Sequence, residues 1–191
     1  MFAAVPSMLL SALLSCVGAP DAPSSRAPSS HRATDGLPKA VQAHWAQISA
    51  AATRHGVDPQ LVAVVVWSES NGHAKARSPI GARGLMQLMP ATAAAVARDL
   101  GRPVPTADDL DDPVLNLELG VAHLADLIAA LTDGPLDRAA VHRVAAAYNG
   151  GLEVALRAEA GAPLPAETAT YAARVADRWV ARSRVTTGVG K

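Results

Sequence analysis

Asp58-Pro59-Gln60-Leu61-Val62-Ala63-Val64-Val65-Val66-Trp67-Ser68-Glu69-Ser70-Asn71-Gly72 is the stretch whose reading decides the fold. Asp58 is a good N-cap, and proline is at home in the first turn of a helix. Asn71-Gly72 is a stop signal at the other end. The run Val64-Val65-Val66 suits a strand by its β-branching, but the Asp-Pro start and the length favour a helix over Gln60 to about Ser70. Such a helix is apolar on nearly all sides, and a helix apolar all round belongs in the centre of a domain. It then ends on a carboxylate. Burial disfavours the charged form, so a carboxyl held at the end of such a helix keeps its proton to higher pH, as a general acid must. Helical spacing alone leaves the alternative that Glu69 points to the solvated side of its last turn.

Outward from this stretch the chain reads as helices. Val41, Trp45, Ile48 and Ala52 recur at four, three and four residues, on one face of a helix that Gly56 stops. Asn71 to Gly84 is a loop punctuated by Gly72, Pro79, Gly81 and Gly84. A short helix is expected from Pro90 to Leu100, then an acidic connection from Gly101 to Asp112. Leu117, Val121, Leu124, Ile128 and Leu131 mark the strongest helical period in the chain. Arg138 to Tyr148 is a further helix closed by Asn149-Gly150-Gly151, and the last runs from about Ala166 to Arg182. No strand pair and no internal repeat is apparent in this pattern.

Composition agrees with an all-α domain. Of 191 residues 50% are apolar but only 3% aromatic, which favours thin, alanine-rich, close-packed helices over a β-sandwich. Seventeen basic and seventeen acidic side chains give a net charge of zero. Without a surplus of cations to neutralise phosphates, nucleic acid is not expected as a partner. The six histidines show no paired ligand spacing, so no metal is expected, and no glycine-rich phosphate loop supports a nucleotide cofactor. Arg174, Arg178 and Arg182 stand four residues apart, a stripe that reads as a solvated helix face or, alternatively, as a contact for anionic cell-wall or lipid phosphate.

The first residues bear on cellular address. Met8 to Leu14 is an apolar run with the length of a signal-peptide core and too short to span a bilayer, although the first basic residue is Arg26. Cys16 is the only cysteine, so no intramolecular disulfide can form. Leu13-Leu14-Ser15-Cys16 resembles the lipobox of bacterial lipoproteins, which implies lipidation at Cys16. A plain secreted or uncleaved leader and a buried structural cysteine are the alternatives. Pro20, Pro23, Pro28 and Pro38, interleaved with serines, read as a linker. The expected organisation is a signal peptide over 1–16, a disordered linker over 17–37, a helical domain over 38–184 and a flexible tail over 185–191.

Four blocks in order carry a resemblance: Ser68-Glu69-Ser70, Ser78 to Thr92 with Gly84-Leu85-Met86-Gln87-Leu88-Met89-Pro90 inside it, Ala147-Tyr148-Asn149-Gly150-Gly151, and Glu167-Thr168-Ala169-Thr170-Tyr171. Together they resemble the lytic transglycosylases of the soluble-transglycosylase (SLT) family, relatives of goose-type lysozyme, over about residues 41–180. The resemblance implies an all-α lysozyme-like fold with a glycan-binding groove acting on bacterial peptidoglycan. It implies Glu69 as the single catalytic acid/base. Ser78, Met86, Gln87, Tyr148, Asn149, Glu167 and Tyr171 are implied as substrate-binding or site-supporting residues. Independently, a sugar groove needs hydroxyl, amide and aromatic groups, which this set supplies. Tyr171, at four-residue spacing with Val175 and Trp179, suits the core equally well. Asn71-Gly72-His73 occupies a stretch where the family usually carries an aromatic.

Glycosidases of the two-carboxylate type hold their carboxyls about 5–9.5 Å apart, and only Glu69 lies where the family places its catalyst. The expected reaction is cleavage of the MurNAc–GlcNAc bond with closure of a 1,6-anhydro ring. A hydrolytic muramidase, or a non-catalytic glycan-binding factor in envelope assembly, are the alternatives. The implied setting is the periplasm, on an outer-membrane lipid anchor, with peptidoglycan strands as partner and envelope or secretion machinery open as further partners.

Overall fold

A computed structural model describes residues 33–186, with side chains to 184. The signal peptide, Cys16 and most of the linker lie outside the described residues. Within them the architecture is helical: α1 (Lys39–Gln42), α2 (Trp45–His55), α3 (Pro59–Ser70), α4 (Pro90–Asp99), a 3-10 turn (Asp108–Asp111), α5 (Pro113–Leu131), α6 (Arg138–Gly150), α7 (Leu152–Glu159) and α8 (Ala166–Thr186). The β-pairing present consists of isolated bridges, Arg77 with Arg83 and Arg83 with Leu88.

Helix α3 is the centre. Asp58 caps it through Gln60 N–H at 2.8 Å, Asn71 ends it in the left-handed region, and every residue from Gln60 to Val66 is buried. The helices α2, α5, α6 and α8 surround α3, their apolar faces joining one core of Val41, Ile48, Leu117, Val121, Leu124, Val144 and Val175 among others. A smaller core of Leu88, Val96, Leu110 and Leu119 lies under α4 and the 3-10 turn. The expected first helix is interrupted at Ala43-His44, so α1 and α2 share its buried face. Pro113–Leu131 is long and apolar enough to cross a membrane, but most of it is buried in this core.

Three features depart from the expectations. Helix α7 goes unread in the sequence, because its eight residues after Gly150-Gly151 are too few to show a period. The linker does not extend to residue 37. Leu37 is 4% exposed, and Arg182 donates to Ala33 O and Asp35 O at 2.7 Å each and to Gln60 Oε1 at 2.6 Å. The basic stripe is therefore not a solvated face. Arg182 is buried, and Arg178 lies 4.0 Å over the Trp67 ring and donates to Ser68 Oγ at 3.1 Å. Arg174 alone of the three stays exposed.

A buried acid also goes unread. Glu118 is 4% exposed and is held by Arg54, by Arg102 at 3.2 Å and by His55 at 3.2 Å. A carboxylate in a core must be paired. Here the pairing ties α2 and the connection after α4 to α5.

Candidate functional site

The end of α3 is braced on both sides of Glu69. Ser70 donates to Leu85 O at 2.8 Å and accepts from Gly72 N–H at 3.2 Å, while Ser68 is held by Arg178 from α8. Ser68-Glu69-Ser70 is thus a carboxylate between two anchored hydroxyls. Glu69 itself is largely buried, and desolvation raises its pKa from 4.5 to about 7. The Tyr171 hydroxyl and the Arg174 charge pull in the opposite direction and only partly offset it. The solvated alternative for Glu69 does not hold.

Two tyrosines from different helices feel the charge of this carboxyl. Tyr171 on α8 is 4% exposed, and its hydroxyl meets no partner at full hydrogen-bond geometry among the described residues. Its neighbour is Glu69, and hydrogen bonding between the two side chains lowers the Glu69 pKa and raises that of Tyr171. Tyr171 therefore belongs to both core and site. Tyr148, at the end of α6, donates to Met86 O at 2.9 Å and packs against His123 in a tilted arrangement with 5.6 Å between ring centroids. Burial and then the Glu69 charge push the Tyr148 phenol well above its usual 10, and the same two causes raise Tyr171. Both phenols therefore stay protonated as hydrogen-bond donors.

The loop before α4 is built to hold its shape. Asn116 is fully buried on α5. Its side chain accepts from Met86 N–H at 2.8 Å and donates to Arg83 O at 2.9 Å and Leu110 O at 3.0 Å. Gly84 runs directly against it: φ is +76°, and a Cβ there would fall 2.2 Å from Asn116 Nδ2. Gln87 has φ of +46° and donates from Nε2 to Ala76 O and Gly84 O at 3.1 and 3.0 Å. That explains a polar side chain inside an apolar block: its amide closes the loop. Ser78 Oγ accepts from Ala82 N–H at 2.9 Å, so its own proton remains to be donated.

Met86 is a correction. Its side chain is fully buried against Gly120, with no surface to offer a glycan; its backbone instead receives Tyr148 and Asn116. The exposed methionine of the block is Met89, 38% exposed and walling a cleft of about 620 Å³ with Thr92, His123, Asp126, Tyr148 and Asn149. A second cleft, of about 390 Å³, is lined by Asn149, Ala166, Glu167, Thr170, Tyr171 and Arg174. Asn149 belongs to both. Glu69 lines neither wall, but each cleft is walled by one of the two phenols that feel its charge.

The structure thus gathers Glu69, Tyr148, Asn149, Glu167 and Tyr171 around one region, with Gln87 and Ser78 shaping the loop before α4. Arg174 and Met89 were not named as site residues, although Arg174 follows Tyr171 by three residues and Glu167 by seven, on one face of α8. Among the described residues no three His, Cys, Asp or Glu side chains gather as a metal site.

The transglycosylase SLT domain family matches residues 46–166. The chain is 38% identical over 107 residues to a transglycosylase of Enterobacteria phage PRD1, covering 56% of this chain and 34% of that protein. It is 40% identical over 95 residues to the endo-type membrane-bound lytic murein transglycosylase A of Klebsiella pneumoniae, covering 48% of this chain and 45% of the relative. The chain therefore spans less than half the length of these relatives. Among solved structures, the fold is similar to an inactive glutamate-to-glutamine mutant of lytic transglycosylase Slt from Pseudomonas aeruginosa, with TM-score 0.65 and 27% identity over 74% of this chain and 24% of that one.

Proposed function

The chain belongs to the transglycosylase SLT domain family, and on that footing we propose that it is a peptidoglycan lytic transglycosylase with Glu69 as its one acid and base. The observation that carries this reading is the carboxyl at the end of α3 with its pKa lifted to about 7 by burial. At neutral pH such a group is poised between its two forms, as a residue that first donates and then accepts a proton should be.

Glu69 protonates the oxygen between N-acetylmuramic acid and N-acetylglucosamine, and the C–O bond on the muramyl side breaks. The substrate's own N-acetyl oxygen stabilises the cationic C1. The carboxylate then removes the proton from the muramyl C6 hydroxyl, whose oxygen bonds to C1 and closes the 1,6-anhydro ring. No water is consumed, and Glu69 ends protonated as it began. The neighbours that act on Glu69 are a phenol and a guanidinium rather than a second carboxylate, which supports a one-carboxylate route. Gln87 Oε1, Ser78, Asn149 and Glu167 supply hydrogen bonds to the glycan, and Met89 gives it an apolar wall.

Sacculi digested with the wild type are expected to yield anhydromuramyl ends, and Glu69→Gln is expected to lower release at least a thousandfold while binding glycan. Reducing muramyl ends alone identify a hydrolase. Zero turnover by the wild type with intact binding identifies a glycan-binding factor. The membrane-bound relative supports an envelope location, reached here through export and lipidation at Cys16, with the linker as tether.

A further inference from the structure

Resting on that reading of the groove, we propose that Arg174 forms a carboxylate-binding subsite, so that the 390 Å³ cleft recognises an acidic substituent carried by the muramyl residue. Arg174 is exposed, lines the cleft, and forms no ion pair among the described residues, although its charge reaches Glu69. Its contact is the face of Tyr171, with 5.5 Å between the guanidinium carbon and the ring centroid. This cation–π contact holds the guanidinium at the cleft wall. The other long basic residues of α8 are used up: Arg178 on Trp67 and Ser68, Arg182 on the chain at 33–35.

A second observation points into the same cleft. The Tyr171 hydroxyl, in a residue that lines this wall, is sealed from solvent and has Glu69 as its neighbour without a partner at full hydrogen-bond geometry. Buried hydroxyls are normally paired, so one held only loosely by Glu69, beside a cation with no ion pair, keeps room for an incoming acceptor. Glu167, seven residues before Arg174 on the same helix, lines the same cleft without forming an ion pair with it. A guanidinium on an aromatic face prefers a planar bidentate partner, and a carboxylate is that partner. A muramyl residue offers two: the free lactyl carboxylate of a glycan stripped of peptide, or a carboxylate of the attached stem peptide.

The test measures glycan binding to the full chain carrying Glu69→Gln, with Arg174 intact or changed to Gln or Lys. Three glycans are compared: peptide-free strands with free lactyl carboxylates, the same strands methyl-esterified, and peptide-bearing strands. Arg174→Gln is expected to weaken binding of carboxylate ligands by about tenfold or more and to leave the esterified strands unchanged. Arg174→Lys is expected to recover part of the loss, since it keeps the charge without the fork. A loss confined to peptide-free strands assigns the lactyl group, and a loss confined to peptide-bearing strands assigns the stem. An equal loss on esterified strands, no loss at all, or no binding to any of the three overturns the proposal. If wild-type protein releases no muropeptides while Arg174-dependent binding persists, the enzymatic reading falls and the subsite stands.

Discussion

Glu69 carries a stability cost along with its chemistry. In the unfolded chain it ionises near 4.5 and in the folded protein near 7, so between these values the native state holds a proton that the unfolded state has released. Stability contributed by that proton is lost as pH rises through the window, and above pH 7 the full penalty of roughly 3 kcal/mol remains. Glu69→Gln removes the titration and keeps the shape. Thermal unfolding is therefore expected to show the variant level with the wild type near pH 4 and more stable by several degrees at pH 8. A gap that does not grow with pH would show that burial does not hold the proton. The oddity of a carboxylate after three valines was legible in the sequence. Its partners were not, because Tyr171 and Arg174 come to it from a helix about a hundred residues later.

At the scale of elements, the site depends on how α5 receives the loop before α4. Gly120 sits in the middle of α5, where alanine would normally add about 1 kcal/mol of helix propensity. A Cβ there would meet Met86 Sδ at 2.5 Å and Met86 Cβ at 3.0 Å. Overpacking of a closed core costs about 1–3 kcal/mol, and Met86 cannot move without carrying the carbonyl that holds Tyr148. Gly120→Ala is expected to lose about 1 kcal/mol in urea unfolding and to lower glycan cleavage severalfold. Equal or greater stability would mean that Met86 shifts freely. Asn116 works from the same helix, and neither residue stands out by pattern: a glycine and an asparagine in a helix look like weak spots until the loop they receive is placed against them.

Across the whole molecule, Arg182 and the Glu118 pairs connect segments far apart in the chain. Arg182 fastens residues 33–35 to α3 and α8, so order begins earlier than the proline-rich composition suggests. Beyond it, tethering through Cys16 is an expectation on the cell. Cys16→Ser is expected to move the protein from the membrane fraction to the soluble fraction without changing muropeptide release from isolated sacculi. An unchanged distribution would remove the anchor from the account.

Local chemistry and periodicity determined much on their own. The Asp58 cap, the all-round apolar α3, the stripe on α5 and the Asn-Gly and Gly-Gly stops each act within a few residues, so the long helices and the central position of α3 are written in the sequence, while the short α7 is not. Tertiary structure alone decided which methionine is buried, that Gln87 closes its loop, that Arg178 and Arg182 turn inward while Arg174 stays exposed, and that one phenol meets the carboxyl while a second feels its charge. Those outcomes depend on which faces meet across the core. Burial and hydrogen-bond pairing between distant segments are properties of the packed whole.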